Sequence, residues 1–319
     1  MITRWIPVLA MAAAAGAGAQ DFPSRPVRIV VPWPPSGNVD ITARALAPAL
    51  SEALGAQVLV ENLSGAGGRI GTAAVAKASA DGYTLLLGSS GTITSGPAVF
   101  KSIGYDPLKD FVAIGPIQSV PIVLTAAPKT PVSSYKEFAA LAKANPGQVS
   151  IASAGSGSSN HLAIELLMRQ ANLKLLHIPY KGSGPAIIDL LGSQVESMMD
   201  QLTASIEHIR GGRLKALAVS SKTRSALLPD VPTLDELGVT GYEASTFTGL
   251  FAPSGVPAPA ADRLYSALRR ALSNETLRER YRSMGVDVMD MSRAEFTAYV
   301  RADFGKWRTI AREGNIVVE

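Results

Sequence analysis

The stretch Val27-Arg28-Ile29-Val30-Val31-Pro32-Trp33-Pro34-Pro35-Ser36-Gly37-Asn38-Val39-Asp40 decides the fold. Val27, Ile29, Val30 and Val31 are β-branched and suit a buried strand. Pro32, Pro34 and Pro35 lack the N–H that a strand ladder needs, so the strand must stop there. Ser36, Gly37 and Asn38 then turn the chain and cap a helix beginning at Asn38. A helix start leaves backbone N–H groups free at its positive end, and such an end favours an anion. Strand, tight loop and helix in so short a run is the opening of an α/β unit.

Upstream of this unit, Arg4 precedes an apolar, alanine-rich run from Trp5 to Gly16, and Ala17-Gly18-Ala19 offers small residues for cleavage. The run is too short to cross a bilayer, so residues 1–19 are expected to be a secretory signal peptide cut after Ala19. No later run reaches the length of a membrane span, and the mature chain is expected to be soluble. The 319 residues contain no cysteine, which excludes disulfides, thiolate metal sites, cysteine nucleophiles and a lipid anchor on cysteine. Export without disulfides or anchor fits the periplasm. The net charge of +4 comes from scattered lysines and arginines, which argues against a nucleic-acid surface. Scattered charge without heptads also favours a monomer.

Downstream, short β-branched runs alternate with longer amphipathic ones. Strands are predicted at 57–61, 83–88, 111–117, 122–126, 149–152, 174–178, 195–199 and 214–220, with helices at 38–54, 70–80, 134–145, 160–171 and 185–192. The alternation predicts parallel sheets with helices on both faces. Leu46, Leu50 and Leu54 share one face of the first helix and should pack on its sheet. Pro48 should kink or break that helix. After an apolar run at 245–252 the chain turns mostly helical, over 257–272, 275–284 and 292–314. Two α/β lobes with a helical C-terminal return are the expected architecture.

Four strand-to-helix junctions are rich in small polar residues: Pro34–Asn38, Gly88–Thr94, Ser153–His161 and Lys181–Pro185. In an open α/β sheet such turns lie at the carboxyl ends of strands, where ligands bind. Several helix N-termini aimed at one cleft would hold a carboxylate or phosphate without a buried arginine. Enzyme motifs do not assemble. Gly-x-Ser-x-Gly, the P-loop and Gly-x-Gly-x-x-Gly are absent. His161 and Glu165 fall short of zinc's ligand count, and no spacing rule supports a Ser158/His161/Asp200 triad. Single residues keep two readings. Trp33 either caps the core or stacks on a ligand. Asp40 complements the helix dipole or touches the ligand. Lys181 is a solvated loop charge or an anion partner, and Asp200 is a cleft residue or a turn cap.

Ordered landmarks run from Phe22 to the C-terminus: Phe22-Pro-Ser-Arg-Pro-Val-Arg-Ile-Val-Val-Pro-Trp-Pro-Pro35, Val60-Glu-Asn62 with Gly65-Ala-Gly-Gly68, Asp81-Gly-Tyr-Thr-Leu85, Tyr105-Asp-Pro107, His177-Ile-Pro-Tyr-Lys-Gly-Ser-Gly-Pro-Ala186, Leu228-Pro-Asp-Val-Pro-Thr233 and Gly249-Leu-Phe-Ala-Pro253. With these the chain resembles the Bug-type extracytoplasmic receptors, the solute-binding components of tripartite tricarboxylate transporters. The resemblance implies an α/β, two-lobed type II periplasmic binding protein, not an enzyme and without a cofactor. It would clasp a small organic carboxylate between lobes and deliver it to the transporter's membrane subunits. A sensor presenting the same lobes to a signalling partner is the alternative. Lobe one would comprise 20–122 and 244–319, and lobe two 123–243. Carried onto this chain, the ligand loops are Trp33, Ser36, Gly37, Asn38 and Asp40; Ser89, Ser90 and Thr92; Ser156, Ser158, Ser159, Asn160 and His161; and Asp200. The family's first loop commonly has Gly-Gly where this chain has Ser36-Gly37, and a phenylalanine where it has Trp33. Ser36 and Asn38 thus add side-chain donors, and the larger aromatic wall points to an aromatic or aliphatic dicarboxylate.

Overall fold

The computed structural model describes residues 22–314 and 316–318, so the expected signal peptide lies outside the described residues. The chain opens as β1 (Val27–Val31), α1 (Asn38–Leu54), β2 (Val58–Asn62), α2 (Arg69–Ala76), β3 (Thr84–Ser89), α3 (Ser90–Ile93), α4 (Ser95–Val99) and β4 (Phe111–Val120). It continues through β5 (Ile122–Ala126), α5 (Tyr135–Ala144), β6 (Ser150–Ser153), α6 (Ser159–Gln170), β7 (Leu176–Pro179), α7 (Ser183–Leu191), β8 (Ser197–Gln201), α8 (Leu202–Arg210) and β9 (Lys215–Val219). It returns as β10 (Thr246–Pro253), α9 (Ala258–Leu272), α10 (Glu275–Ser283), β11 (Asp287–Val288) and α11 (Arg293–Gly314).

These strands form two sheets, ordered β11-β4-β10-β3-β1-β2 and β7-β6-β8-β5-β9. Neither is wholly parallel, contrary to the sequence expectation. The β2–β1–β3 part is parallel, but β10 inserts antiparallel between β3 and β4. In the second sheet β5 runs antiparallel to both β8 and β9. The late run that becomes β10 is far away in sequence, so no local βαβ pattern reveals its direction.

Alternation along β1 divides the first core. Val27, Ile29 and Val31 face one side with Leu46, Leu50 and Leu54 of α1 and Leu264 and Leu268 of α9. Val30 faces the other with Leu86, Phe247, Phe251 and Phe296. The second sheet is likewise covered on both faces, by a cluster around Phe138, Leu167 and Met199 and another around Ile187, Leu190 and Met198. Helix α1 is not broken at Pro48 and continues to Leu54. Pro48 and Arg44 are both exposed, so the carbonyl deprived of its N–H partner lies on the solvent side. No helix among the described residues is long and apolar enough to cross a membrane.

The chain passes from the first sheet to the second at Pro121, between β4 and β5, and returns just before β10. The two crossings lie side by side. Thr246 pairs with Val120, while Ser220 N–H donates to the Ile122 carbonyl at 2.8 Å and Ala244 N–H to the Ser220 carbonyl at 3.1 Å.

Candidate ligand-binding site

The loop after β1 is held by one buried carboxylate. Asp40 accepts the Arg44 guanidinium at 2.9 Å, Asn62 Nδ2 at 2.9 Å and the Ser36 N–H at 3.0 Å. Asn62 Nδ2 also donates to the Trp33 carbonyl at 3.0 Å. Burial alone would raise the Asp40 carboxyl, but Arg44, the Ser36 N–H and Asn62 outweigh it and hold it below its ordinary value. Asp40 is therefore spent on the loop itself. Gly37 then caps α1 with extended backbone and no side-chain bond, leaving the first N–H groups of the helix open. Asn38 follows on the cleft wall, its side-chain Oδ1 accepting from Gln118 Nε2 at 3.0 Å.

Three further loops meet this one. After β3, the Ser89 N–H donates to Thr92 Oγ1 at 3.1 Å, and Ser90 Oγ accepts the Phe247 N–H of β10 at 2.9 Å. Ser90 and Thr92 thus brace the loop from behind, while Ser89 faces forward and receives a long contact from Trp33 Nε1 at 3.4 Å. After β6, Ser158 caps α6. Its hydroxyl donates to the Gly155 carbonyl at 2.7 Å and accepts the His161 N–H at 3.2 Å. His161 Nδ1 accepts the Gly157 N–H at 3.1 Å, which puts its ring hydrogen on Nε2, 3.3 Å from Glu165. Its ring stacks on His177 at 4.2 Å. Burial first, and then the neighbouring His161, push the His177 imidazole down to about 4, so it is neutral at physiological pH.

Beneath the floor lies Asp200, fully buried at the end of β8. It accepts Ser183 Oγ at 2.7 Å and Asn160 Nδ2 at 2.8 Å. Asn160 Nδ2 also reaches the Met199 carbonyl at 2.9 Å, and its Oδ1 accepts Gln201 Nε2 at 2.9 Å. Burial raises the Asp200 carboxyl to about 6, against the pull of Ser183, Asn160 and the Gln201 N–H. The carboxylate arranges its neighbours rather than lining the cleft.

The result is a narrow cleft between the two sheets. Of the residues singled out in the sequence, Trp33, Gly37, Asn38, Ser89, Ser158, Ser159 and Asn160 line it. Ser90, Thr92, Asp40, His161 and Asp200 stand behind its walls, Ser36 is solvent-exposed, and Ser156 lines an adjoining chamber. Gly182, Ser183, Gln201 and Thr246 also line the cleft and were not among the predicted site residues. Ser183 had a signal, since it sits in the fourth polar junction. Gln201 and Thr246 had none, because tertiary crossing alone brings them there. Helices α1, α6 and α7 all begin at the cleft, and no lysine or arginine lines it among the described residues. The lining therefore presents neutral donors and helix N-termini, an arrangement that favours negative charge.

Ser36 holds a left-handed φ of 69°, a region where a β-carbon is strained and glycine is not. Ser36→Gly should therefore raise stability by about 1 kcal/mol. Its side chain faces solvent, so affinity should stay unchanged. A urea titration with a parallel ligand titration checks both, and a lowered unfolding midpoint would refute the strain.

Comparison with known proteins agrees with this geometry. Residues 42–316 match the model of the tripartite tricarboxylate transporter family receptor. BugT of Bordetella pertussis is 38% identical over 301 residues, covering 94% of this chain and 92% of that protein. The structure of the periplasmic binding protein BugD superposes with a TM-score of 0.90 at 38% identity, covering 93% of this chain and all of that one. An R. palustris protein solved with adipate superposes equally, with a TM-score of 0.90 at 32% identity over 93% of this chain and 99% of its own. The chain belongs to the tripartite tricarboxylate transporter receptor family, a family of solute-binding receptors and not of enzymes.

Proposed function

We propose that this chain is a monomeric periplasmic receptor that captures a small organic carboxylate, an aliphatic or aromatic dicarboxylate, and hands it to the membrane subunits of a tripartite transporter. The observation that carries the reading is the convergence of three helix N-termini from two sheets on one cleft without a cation. Such a lining solvates a carboxylate with neutral dipoles and disfavours a cationic ligand. Adipate in the R. palustris relative supports the same class of ligand. The lobes divide as 20–122 with 244–319 and 123–243, a division supported by the crossings at Pro121 and Ser245. Closure of the lobes on the ligand completes the site.

Calorimetry and thermal melting of residues 20–319 against a panel of mono- and dicarboxylates test this reading. A true ligand at a hundredfold excess over its Kd should stabilise the protein by about 2.7 kcal/mol. If no organic anion binds or raises the Tm, the reading is wrong.

A further inference from the structure

The cleft described above is one of two chambers that share a wall. Trp33, Pro34 and Ala154 line both it and a larger adjoining chamber of about 570 Å³. We propose that the ligand spans the two, with one carboxylate at the helix N-termini and a second anionic group in the larger chamber, read by Lys181 and Arg69. The proposal rests on the dicarboxylate reading above and adds where the second carboxylate sits and which side chains read it.

The charge distribution carries the argument. Among the described residues the first chamber holds no cationic side chain, whereas the second holds Arg69 and Lys181 and is lined by no aspartate or glutamate. The Arg69 guanidinium bonds, among the described residues, to neutral oxygens, the carbonyls of Ala66 and Ser102, both at 3.0 Å. It lies 4.1 Å from the centroid of the Phe100 ring, which fixes its place but does not neutralise it. Lys181 is exposed and has no acidic partner among the described residues. The acid on α7, Asp189, accepts the Tyr180 hydroxyl at 2.7 Å and makes no ion pair with Lys181 among the described residues. Two cations line one chamber with no carboxylate among its described lining residues, and they create a positive potential there that a second carboxylate would meet. The hydroxyl of Ser156, exposed on the same wall, adds a neutral donor.

The wall between the chambers is rigid. Trp33 is tied at its indole nitrogen to Ser89 and at its carbonyl to Asn62. Gly68 and Gly91 lie so close to the ring that a β-carbon on either would sit 3.2 Å from Cζ2. The indole is thus packed between Gly68 and Gly91 at the boundary of the two chambers. It offers a fixed flat face past which an extended or aromatic body threads from one carboxylate site to the other.

The test compares matched pairs, adipate with hexanoate and terephthalate with benzoate, by calorimetry on the wild type, Lys181→Gln and Arg69→Gln. The wild type should bind each diacid at least about tenfold more tightly than its monoacid, the size of one charge-assisted hydrogen bond. Lys181→Gln should remove most of that preference and leave monoacid affinity unchanged, and added salt should narrow it in the wild type alone. Lys181 is an exposed loop residue, so this variant folds even if Arg69→Gln does not. If the diacids bind no better than the monoacids, or if Lys181→Gln weakens both equally or neither, the second chamber is overturned while the carboxylate reading stands. If nothing in the panel binds, both fall together.

Discussion

Gly182→Ala is expected to lower ligand affinity about a hundredfold while leaving both sheets folded. Gly182 lies in the loop before α7, on the second sheet's side of the cleft, and Pro34 lies in the loop after β1, on the first sheet's side. A β-carbon on Gly182 would stand 2.7 Å from Pro34 Cγ and 2.9 Å from Cδ. The ring of Pro34 cannot rotate aside, because its φ is locked and its neighbour is Pro35. The φ of 124° at Gly182 adds strain for any side chain. The two loops must part to accommodate the methyl group, and the closed arrangement becomes a minor state. Apparent affinity then falls by the fraction of molecules still able to close. Neither core contains residue 182, so both sheets should stay folded, with the unfolding midpoint lowered only by the strain of about 1–3 kcal/mol at this one residue. Calorimetry beside thermal melting decides the matter: an unchanged Kd would show that the Gly182–Pro34 contact does not govern closure.

Asn160→Ala is expected to cost about 3 kcal/mol of stability and to abolish measurable binding. The side chain serves three partners at once: Asp200, the Met199 carbonyl and Gln201. Its loss leaves a buried carboxylate with one side-chain donor, Ser183, and a buried carbonyl with none in its place. The variant should also change the pH profile. The Asp200 carboxyl is raised to about 6, so the folded protein holds that proton more tightly than the unfolded chain does. Its contribution is therefore greatest below the ordinary carboxylate range of about 4 and falls as pH rises through 6. Without Asn160 the carboxyl loses a donor to its charged form and rises further. The decline in stability should then extend to higher pH than in the wild type. Urea titrations between pH 4 and 8 measure this, and parallel profiles for the two proteins would rule out Asp200 as the group responsible.

The opening strand, loop and helix were legible because the chemistry there is local. Branched residues, prolines and a glycine cap each act on their own backbone, and β1 and α1 follow from them directly. The polar junctions also identified which loops form the cleft. They did not reveal which way each side chain points. Asp40, His161 and Asp200 are polar residues in the right loops, yet each is turned inward by partners distant in sequence or one turn along the same helix: Asn62, Glu165 with His177, and Ser183. Ser36 attracted a ligand role through its hydroxyl, whereas its structural signature is a left-handed backbone. Gln201 and Thr246 enter the wall only because β8 and β10 end at the crossing between sheets, and that crossing has no local pattern. Pro48 shows the converse error. Its propensity argued for a kink or a break, and there is no break: burial of Leu46, Leu50 and Leu54 on the opposite face outweighs one missing hydrogen bond exposed to water.

The paired crossings at Pro121 and Ser245 limit how the molecule can open. Two strands tied edge to edge, through Val120 with Thr246 and through Ser220 with Ile122 and Ala244, behave as a flat ribbon. Joined in this way, the two crossings are expected to bend as one hinge rather than as two independent strands. Opening should then be read by a distance measured across the cleft, and a label pair placed on the two sheets would report it.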